Sequence, residues 1–373
     1  FYDNAGASLG HCRLAIIDLT DAGHQPMSDS ASRYWITFNG EIYNYLELAE
    51  ELRGFGYRFH GQSDTEVLLT AYRHWGKACL ERLRGMFAFA IWDEKECSLF
   101  AARDRLGIKP FHYWVDGNRQ LAFASELKAL LEFLPERSAN TALARQFLAW
   151  SLLDHEPGET MVSGIMRLPP GHALVWQQGE GLKIWRYWEL HVNDELDVIP
   201  EHKGRLIREF RQLFEETVSL HLRSDVPVGT CLSGGLDSST IVCVANLELQ
   251  RRRLKEKPSQ HTFSACFEDP RLDERSYIAE VVDATDCQSH YVFPSGEGFA
   301  KDLEQWVWHQ EEPVGSSGVY AQYCVARLAR ENGIKVLLDG QGADEQLAGY
   351  RKFILVYLRQ LLHARCYVKA VRE

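Results

Sequence analysis

From residue 8 to about residue 188 the chain runs in short apolar or alternating stretches at 13–18, 34–38, 86–92, 98–103, 111–115, 121–124 and 172–176, each set between Gly, Asn or Asp. Alternation at period two, bounded by turn formers, predicts β-strands. Residues 45–53 and 65–74 instead repeat their apolar positions at helical spacing. Short turns such as Asp116-Gly117-Asn118 favour antiparallel pairing, and the inserted helices favour layers laid on the sheet faces.

Residues 193–203 are polar, contain Pro200 and lack periodicity, which predicts a linker between one domain over 1–192 and another over 204–373. The rhythm then changes. Strand-like runs at 228–232, 262–267, 290–293 and 335–338 alternate with helical windows at 238–249, 274–284, 298–311 and 319–331. Strand then helix, repeated, predicts a parallel sheet covered on both faces. Residues 353–371 read as an amphipathic helix with no stop signal, and the chain opens on Phe1 rather than Met, so both ends read as cut. The run Arg251-Arg252-Arg253, with Lys255 and Lys257, reads as a solvated helix end, since no aromatic residues interleave for base stacking.

Composition narrows the chemistry. A chain of 373 residues that is 45% hydrophobic and 25% charged can bury two cores. A net charge of -11 opposes a nucleic-acid partner and favours small substrates. The longest apolar run, 86–92, is far short of the roughly 20 residues that span a bilayer, so no membrane partner is expected. The nine cysteines show no C-x-x-C pair or zinc-like spacing, which suits a reducing, cytoplasmic setting with thiols as apolar filler. On that view Cys12 packs within the strand that carries Arg13.

The sharpest local signal is Leu232-Ser233-Gly234-Gly235-Leu236-Asp237-Ser238-Ser239, between an apolar strand and a helix. Two glycines let backbone N–H groups approach an anion, the serines add hydroxyl donors, and the helix start adds partial positive charge. A carboxylate there, Asp237, points to a bound cation such as Mg2+. A simple capped turn would use the same residue types. The second loop, Asp339-Gly340-Gln341-Gly342-Ala343-Asp344-Glu345, also follows a strand and also opens on glycine. In an open parallel sheet both leave the carboxyl edge, where Asp237 and Asp344 could share one metal.

The first of these loops resembles the pyrophosphate-binding loop of the ATP pyrophosphatase superfamily, whose members transfer AMP to a carboxyl or carbonyl oxygen. Stretches before the linker resemble the class II glutamine amidotransferase domain of asparagine synthetases. They include His11-Cys12-Arg13-Leu14-Ala15-Ile16-Ile17-Asp18, Gly23-His24-Gln25-Pro26-Met27, Phe38-Asn39-Gly40-Glu41, Ser63-Asp64-Thr65-Glu66, Gly85-Met86-Phe87-Ala88-Phe89-Ala90 and Arg103-Asp104-Arg105-Leu106-Gly107-Ile108-Lys109-Pro110. Phe123-Ala124-Ser125-Glu126 and Arg167-Leu168-Pro169-Pro170-Gly171-His172 continue the match, which covers nearly the whole chain in order.

The resemblance implies an α+β and α/β protein: an N-terminal αββα sandwich of the Ntn type, then a doubly wound ATP pyrophosphatase domain. It implies that Arg13 binds the α-carboxylate of glutamine and Asp64 its α-ammonium, with Gly40 and Glu41 in the same pocket. Asn39 and the Gly40 N–H would form the oxyanion hole, although Asn-Gly by itself reads first as a hairpin turn. Family members open on a cysteine whose own amino group is the base; no such residue stands at Phe1, so the nucleophile is absent from this sequence and the chain is not expected to hydrolyse glutamine. Leu232, Ser233, Gly234, Gly235, Asp237, Ser238, Ala265, Asp339 and Gly340 would bind ATP, and Asp237 and Asp344 would hold Mg2+.

Glutamine, aspartate and ATP are the implied substrates, and a homodimer is the family habit. Gln341 stands where well-known members carry Glu, so the acid is dispensable, or Glu345 replaces it, or the acceptor differs. The resemblance leaves room for a relative that adenylates another carboxylate, as β-lactam-forming synthetases do, or for a binding subunit without activity. The acidic charge and the absence of C-x-x-C speak against tRNA thiolation.

Overall fold

The computed structural model describes residues 1–373 except 5, 118–119, 154, 192–201, 253–259 and 364–373. Most of the predicted linker, residues 193–201, lies outside the described residues, as do Asn118, Arg253, Lys255, Lys257 and the tail of the last predicted helix. The chain divides into two units, residues 1–226 with 295–320, and residues 227–294 with 321–373.

The first unit holds a hairpin, β1 (Tyr2–Asn4) and β2 (Ala7–Leu9), then β3 (Met27–Ser28), β4 (Tyr34–Ile42), α1 (Tyr45–Gly54), α2 (Asp64–Trp75) and α3 (Cys79–Arg82). There follow β5 (Gly85–Asp93), β6 (Ser98–Arg103), β7 (His112–Asp116), β8 (Gln120–Ala124), a 3-10 helix at Leu127–Phe133, α4 (Thr141–Trp150), β9 (Met166–Arg167), β10 (His172–Gln177), β11 (Gly181–Arg186) and α5 (Lys203–His221). Six strands form one antiparallel sheet in the order β11-β10-β6-β5-β4-β3, and β8-β7-β9 form a second.

Alternation along β5 explains the layering. Phe87, Phe89 and Ile91 point to one face with Ile36, Phe38 and Phe100, where Leu48 and Leu52 of α1 and Leu68 and Leu69 of α2 cover them. Ala88, Ala90 and Trp92 point to the other, where Phe111 and Tyr113 from the region of the second sheet meet them. The outer side of that second sheet, at Ala122 and Ala124, packs on Leu127 and Leu130 of the 3-10 helix. The result is helix, sheet, sheet, helix, as the sandwich class requires; the last layer is the thin one.

The second unit holds β12 (Val228–Cys231), α6 (Leu236–Arg252), β13 (His261–Ala265), α7 (Arg275–Thr285) and β14 (Gln288–Val292). After α8 (Gly296–Gln310) and α9 (Gly318–Glu331) come β15 (Val336–Leu338), α10 (Ala343–Leu347) and α11 (Arg351–His363). Its four strands are parallel in the order β14-β13-β12-β15. Leu232 and Cys266 pack with Val242 of α6 and Ile278 of α7 on one face. Phe263 and Leu337 pack with Val325 and Ala329 of α9 on the other. The sheet is therefore wound on both faces, with its order reversing between β12 and β15.

The helix predicted at 298–311 forms as α8 but groups with the first unit. The two carboxylates at its end explain why. Glu311 accepts from the N–H groups of Leu127 (2.9 Å) and Lys128 (2.8 Å), and Glu312 accepts from Met161 N (2.7 Å) and pairs with Arg167. Among the described residues, no helix is long and apolar enough to cross a membrane.

Candidate functional site

A cavity of about 750 Å³ opens on the face of the six-stranded sheet that carries Thr37, Asn39 and Glu41. Its position follows from the β5 pattern. Ala90 and Ala88 stand opposite Thr37 and Asn39 in the ladder, and these small side chains leave room that the phenylalanines fill on the other face. Arg13, Asn39, Gly40, Glu41 and Asp64, all expected from the sequence to handle glutamine, line this one space.

Each is held by its element. Asp64 opens α2 behind the cap Ser63, whose hydroxyl accepts from Glu66 N (3.1 Å), and its Oδ2 accepts from Ile42 N (3.0 Å). Asn39 donates from Nδ2 to Ser125 Oγ (3.1 Å). The Arg13 guanidinium donates to the carbonyl oxygens of Ile17 (2.9 Å), Thr20 (3.1 Å) and Asp18, which occupies three of its five N–H donors.

The cavity is rich in charge that is hard to bury. Glu41 is 4% exposed, and burial, followed by the nearby Asp64, pushes its carboxyl up to about 7. Its Oε1 has no hydrogen-bond partner. Burial pushes Asp64 up to about 6, opposed by the N–H groups of Ile42 and Thr65 and by Arg13. Burial holds Lys109 below the usual lysine range, opposed by Glu41 and Asp104. Burial, then Arg13, lowers His11. A site with two strained carboxylates and two cations suits a zwitterionic ligand whose ammonium and carboxylate complete the pairing.

In the second unit, the loop after β12 is folded by its own hydroxyls. Ser233 N donates to Ser238 Oγ (3.2 Å), the two hydroxyls lie 3.0 Å apart, and Gly235 N donates to Ser233 Oγ (3.3 Å). Gly234 has φ +85°, and a β-carbon there would sit 3.1 Å from the Glu274 carbonyl oxygen. The loop after β15 lies against it: a β-carbon on Gly340 would sit 3.2 Å from Ser238 N and 3.4 Å from Asp237 Cβ. Asp339 accepts from Gly340 N (2.7 Å) and from Gln322 Nε2 (3.0 Å). Leu232 is buried just past β12, and Ala265 ends the adjacent β13. Both loops thus leave the carboxyl ends of the two strands at which the sheet order reverses, the usual ligand crevice of such sheets.

The carboxyl of Asp344 folds toward Gly349, Gln341 is exposed, and Glu345 accepts from the Tyr350 hydroxyl (2.8 Å). Among the described residues, no group of three or more His, Cys, Asp or Glu is placed to hold a metal ion by itself.

Two expectations are corrected. Residues 13–18 form no strand; they loop around the Arg13 guanidinium, which satisfies carbonyls that a ladder would otherwise bond. Cys12 is consequently exposed on the cavity wall rather than packed in a strand. Asn39-Gly40, a dipeptide that by itself favours a turn, lies inside β4, opposite Ala88 and Phe87. Lys109, Ser125 and His11 also line the cavity. They belong to stretches that resemble the amidotransferase domain, but nothing in their spacing assigned them a role.

A sandwich with such a cavity, joined in sequence to a doubly wound parallel sheet, defines a two-part protein of the amidotransferase–synthetase class. Residues 1–188 match the model of the glutamine amidotransferase domain, and residues 209–365 match that of asparagine synthase. The chain belongs to the glutamine-hydrolysing asparagine synthetase family. It is 36% identical over 350 residues to asparagine synthetase [glutamine-hydrolyzing] 1 of Bacillus subtilis, covering 94% of this chain and 53% of that protein. Asparagine synthetase [glutamine-hydrolyzing] 3 of the same organism is 36% identical over 359 residues, covering 92% and 56%. Amidase chyE of Penicillium rubens is 34% identical over 354 residues, covering 92% and 51%. The chain therefore spans about half the length of these relatives.

Proposed function

We propose that the protein is a glutamine-dependent, ATP-consuming synthetase that makes asparagine, with residues 1–192 as the glutaminase domain and 204–373 as part of the synthetase domain. The single observation that carries this reading is the convergence of Arg13, the run Asn39-Gly40-Glu41 and Asp64, from three separate stretches of the chain, on one cavity. Two N–H donors remain on Arg13 for the α-carboxylate of glutamine, and Asp64 and Glu41 receive its α-ammonium. Attack on the carboxamide carbon by the opening cysteine thiolate of family members, which no residue of this sequence supplies, moves negative charge onto its oxygen, where the Asn39 amide and the Gly40 N–H stabilise it by roughly 3 kcal/mol per donor. Collapse expels ammonia, and water then hydrolyses the thioester to glutamate. The ammonia released is consumed in the synthetase domain.

There the two glycine loops bind ATP through Leu232, Ser233, Gly234, Gly235, Asp237, Ser238, Ala265, Asp339 and Gly340. An aspartate carboxylate oxygen attacks the α-phosphorus, the bond to pyrophosphate breaks, and ammonia then displaces AMP from the acyl carbon. Mg2+ fits the donor set as an ion completed by phosphate oxygens, since such ions take one or two protein carboxylates. Asp237 and Asp344 would hold it, and it would supply positive charge to balance the departing pyrophosphate. The setting is cytoplasmic and the assembly a homodimer.

A second reading, adenylation of a different carboxylate, is favoured by the relative named an amidase and by the exposed amide of Gln341 at the family's Glu position. ATP–pyrophosphate exchange by the whole protein against a panel of carboxylic acids tests both. Aspartate-dependent exchange, with one glutamate formed per asparagine, is expected. Exchange with another acid alone selects the second reading, and none with any acid overturns both.

A further inference from the structure

Glu311 ends α8, and no step above uses it. Its φ of +64° and ψ of -30° lie in the left-handed region that glutamate disfavours. The N–H of Glu312 donates to the Gln310 carbonyl oxygen (2.7 Å), so Glu311 is the centre of a γ-turn of the rare, strained kind. A backbone in such a conformation persists only where its surroundings hold it, and the bonds of the Glu311 side chain do so here.

Both carboxylate oxygens are engaged. Oε2 accepts from Leu127 N (2.9 Å), Oε1 accepts from Lys128 N (2.8 Å) and Lys128 Nζ (3.1 Å), and the side chain is 12% exposed. Leu127 and Lys128 open the 3-10 helix, whose cap residue Glu126 makes no side-chain capping bond. Their N–H groups have no carbonyl partner inside that helix, because the first bond there runs from Ala129 N to the Glu126 carbonyl oxygen (3.3 Å). Lys128 Nζ also donates to the Trp308 carbonyl oxygen (3.1 Å) and lies 5.0 Å from the centre of the Trp308 ring. The last turn of α8 and the start of the 3-10 helix are thus joined at backbone and side chain alike.

What this junction holds is the cavity wall. Ser125, Glu126 and Ala129, on either side of the two gripped residues, line the cavity. Ser125 Oγ accepts from Asn39 Nδ2 (3.1 Å), and the Ser125 carbonyl oxygen lies 3.1 Å from His112 Nδ1 on β7. The short segment from Ser125 to Lys128 is therefore pinned along its length, with the Asn39 amide at one end and Glu311 at the other. Glu311 falls within residues 209–365, which match asparagine synthase, so a residue of the synthetase sequence supports the wall of the amidotransferase cavity.

We propose that Glu311 is a positioning residue for the Asn39 amide: it holds the backbone of Leu127 and Lys128, which places Ser125 where its hydroxyl orients that amide before the reaction begins. This rests on the reading of the cavity as a glutamine site with Asn39 as an oxyanion donor. Glu311 touches no reacting atom, so its loss acts through Asn39 on the rate and not on the groups that bind the amino acid.

The test is steady-state glutamine hydrolysis by the whole protein carrying the family's opening cysteine ahead of this sequence. Glu311→Gln keeps the length of the side chain but presents an amide NH2 to one of the two N–H donors and no charge to Lys128. Glu311→Gly suits the left-handed backbone and removes the carboxylate altogether. Both should lower kcat about tenfold while the KM for glutamine stays within about threefold. In an Asn39→Ala background either should lower kcat by no more than about twofold, since the group it positions is gone. Tyr320→Phe removes the bond from the Tyr320 hydroxyl to Asp302 of α8 (2.8 Å) without touching Glu311. It is the control for general loosening and should leave kcat within about twofold, and thermal melts confirm that each variant is folded. A kcat kept by both Glu311 variants, a loss confined to KM, the full loss repeated over Asn39→Ala, or an equal loss in Tyr320→Phe overturns the proposal alone. A parent protein that hydrolyses no glutamine overturns the reading of the cavity and the proposal together.

Discussion

Gly40 runs so close to the neighbouring strand that a β-carbon on it would sit 2.1 Å from the carbonyl oxygen of Met86 and 2.7 Å from Cα of Phe87. Its φ of +152° is also a conformation that side chains disfavour. Both atoms met are backbone, so no rotamer change relieves the clash. Gly40→Ala should therefore destabilise the protein by about 3 kcal/mol or more, the range in which backbone strain and overpacking add. A urea titration measures the loss, and an unchanged midpoint refutes the account of β4.

Glu41 should cost stability wherever it is ionised. Its carboxyl is raised from 4.5 to about 7, so between these values the folded state holds a proton that the unfolded state releases. Stability then falls as the pH rises through that window. Glu41→Gln removes the linkage: the variant should match the wild type near pH 4 and exceed it near pH 8 by up to about 3 kcal/mol, the equivalent of the full shift. Denaturant melts at the two pH values decide it, and a variant that is less stable at high pH shows that Glu41 is better paired than its free oxygen indicates.

Much of this architecture could be seen in the chain, and the failures have physical causes. Residues 86–92 read as a strand because every position is apolar, and β5 is that strand, buried on both faces. Residues 13–18 carry the same apolar signal but bend around a guanidinium that replaces the ladder, a tertiary effect that periodicity does not encode. The helix α5 at Lys203–His221 went unread because the polar linker run overlaps its start; Phe210 and Leu213 do mark an apolar face, but they are exposed in the structure. The two-residue strands β3 and β9 are too short to leave any pattern. In the cavity, family motifs pointed to Arg13, Asn39 and Asp64, while the placement of Lys109 depends on side-chain bonds from Arg103 and Asp104 that exist only once the loop has folded.

The Asn39 amide should matter for rate more than for binding. It projects from β4 toward the cavity and is steadied by Ser125, so it is positioned before any charge develops. In a protein that carries the family's opening cysteine ahead of this sequence, Asn39→Ala should lower kcat for glutamine hydrolysis about a hundredfold or more while leaving KM within about threefold, as expected for a donor used only in the transition state. Ser125→Ala should show a smaller kcat effect of the same kind. An Asn39→Ala variant with a raised KM and normal kcat would assign the amide to substrate binding instead.

The two glycine loops of the second unit make a separate prediction. Gly340 lets the loop after β15 approach Ser238 and Asp237, since even a β-carbon there would sit 3.2 Å from Ser238 N. The branched side chain of Gly340→Val must push the loops apart at the place where the sheet order reverses, so the KM for ATP in pyrophosphate exchange should rise by about tenfold or more. Gln341, one residue on, is exposed and its amide cannot take a proton at neutral pH. If this branch does not need an acid there, Gln341→Glu should leave aspartate-dependent exchange within about tenfold of the wild type, a change of less than about 1.4 kcal/mol in the barrier. A gain of several orders would mean that the chain had lost the aspartate step and that a different acceptor carboxylate is its substrate. Measured on the same preparations, the two variants separate a defect in loop spacing from a missing charge, because only the first should alter the ATP concentration needed for half-maximal exchange.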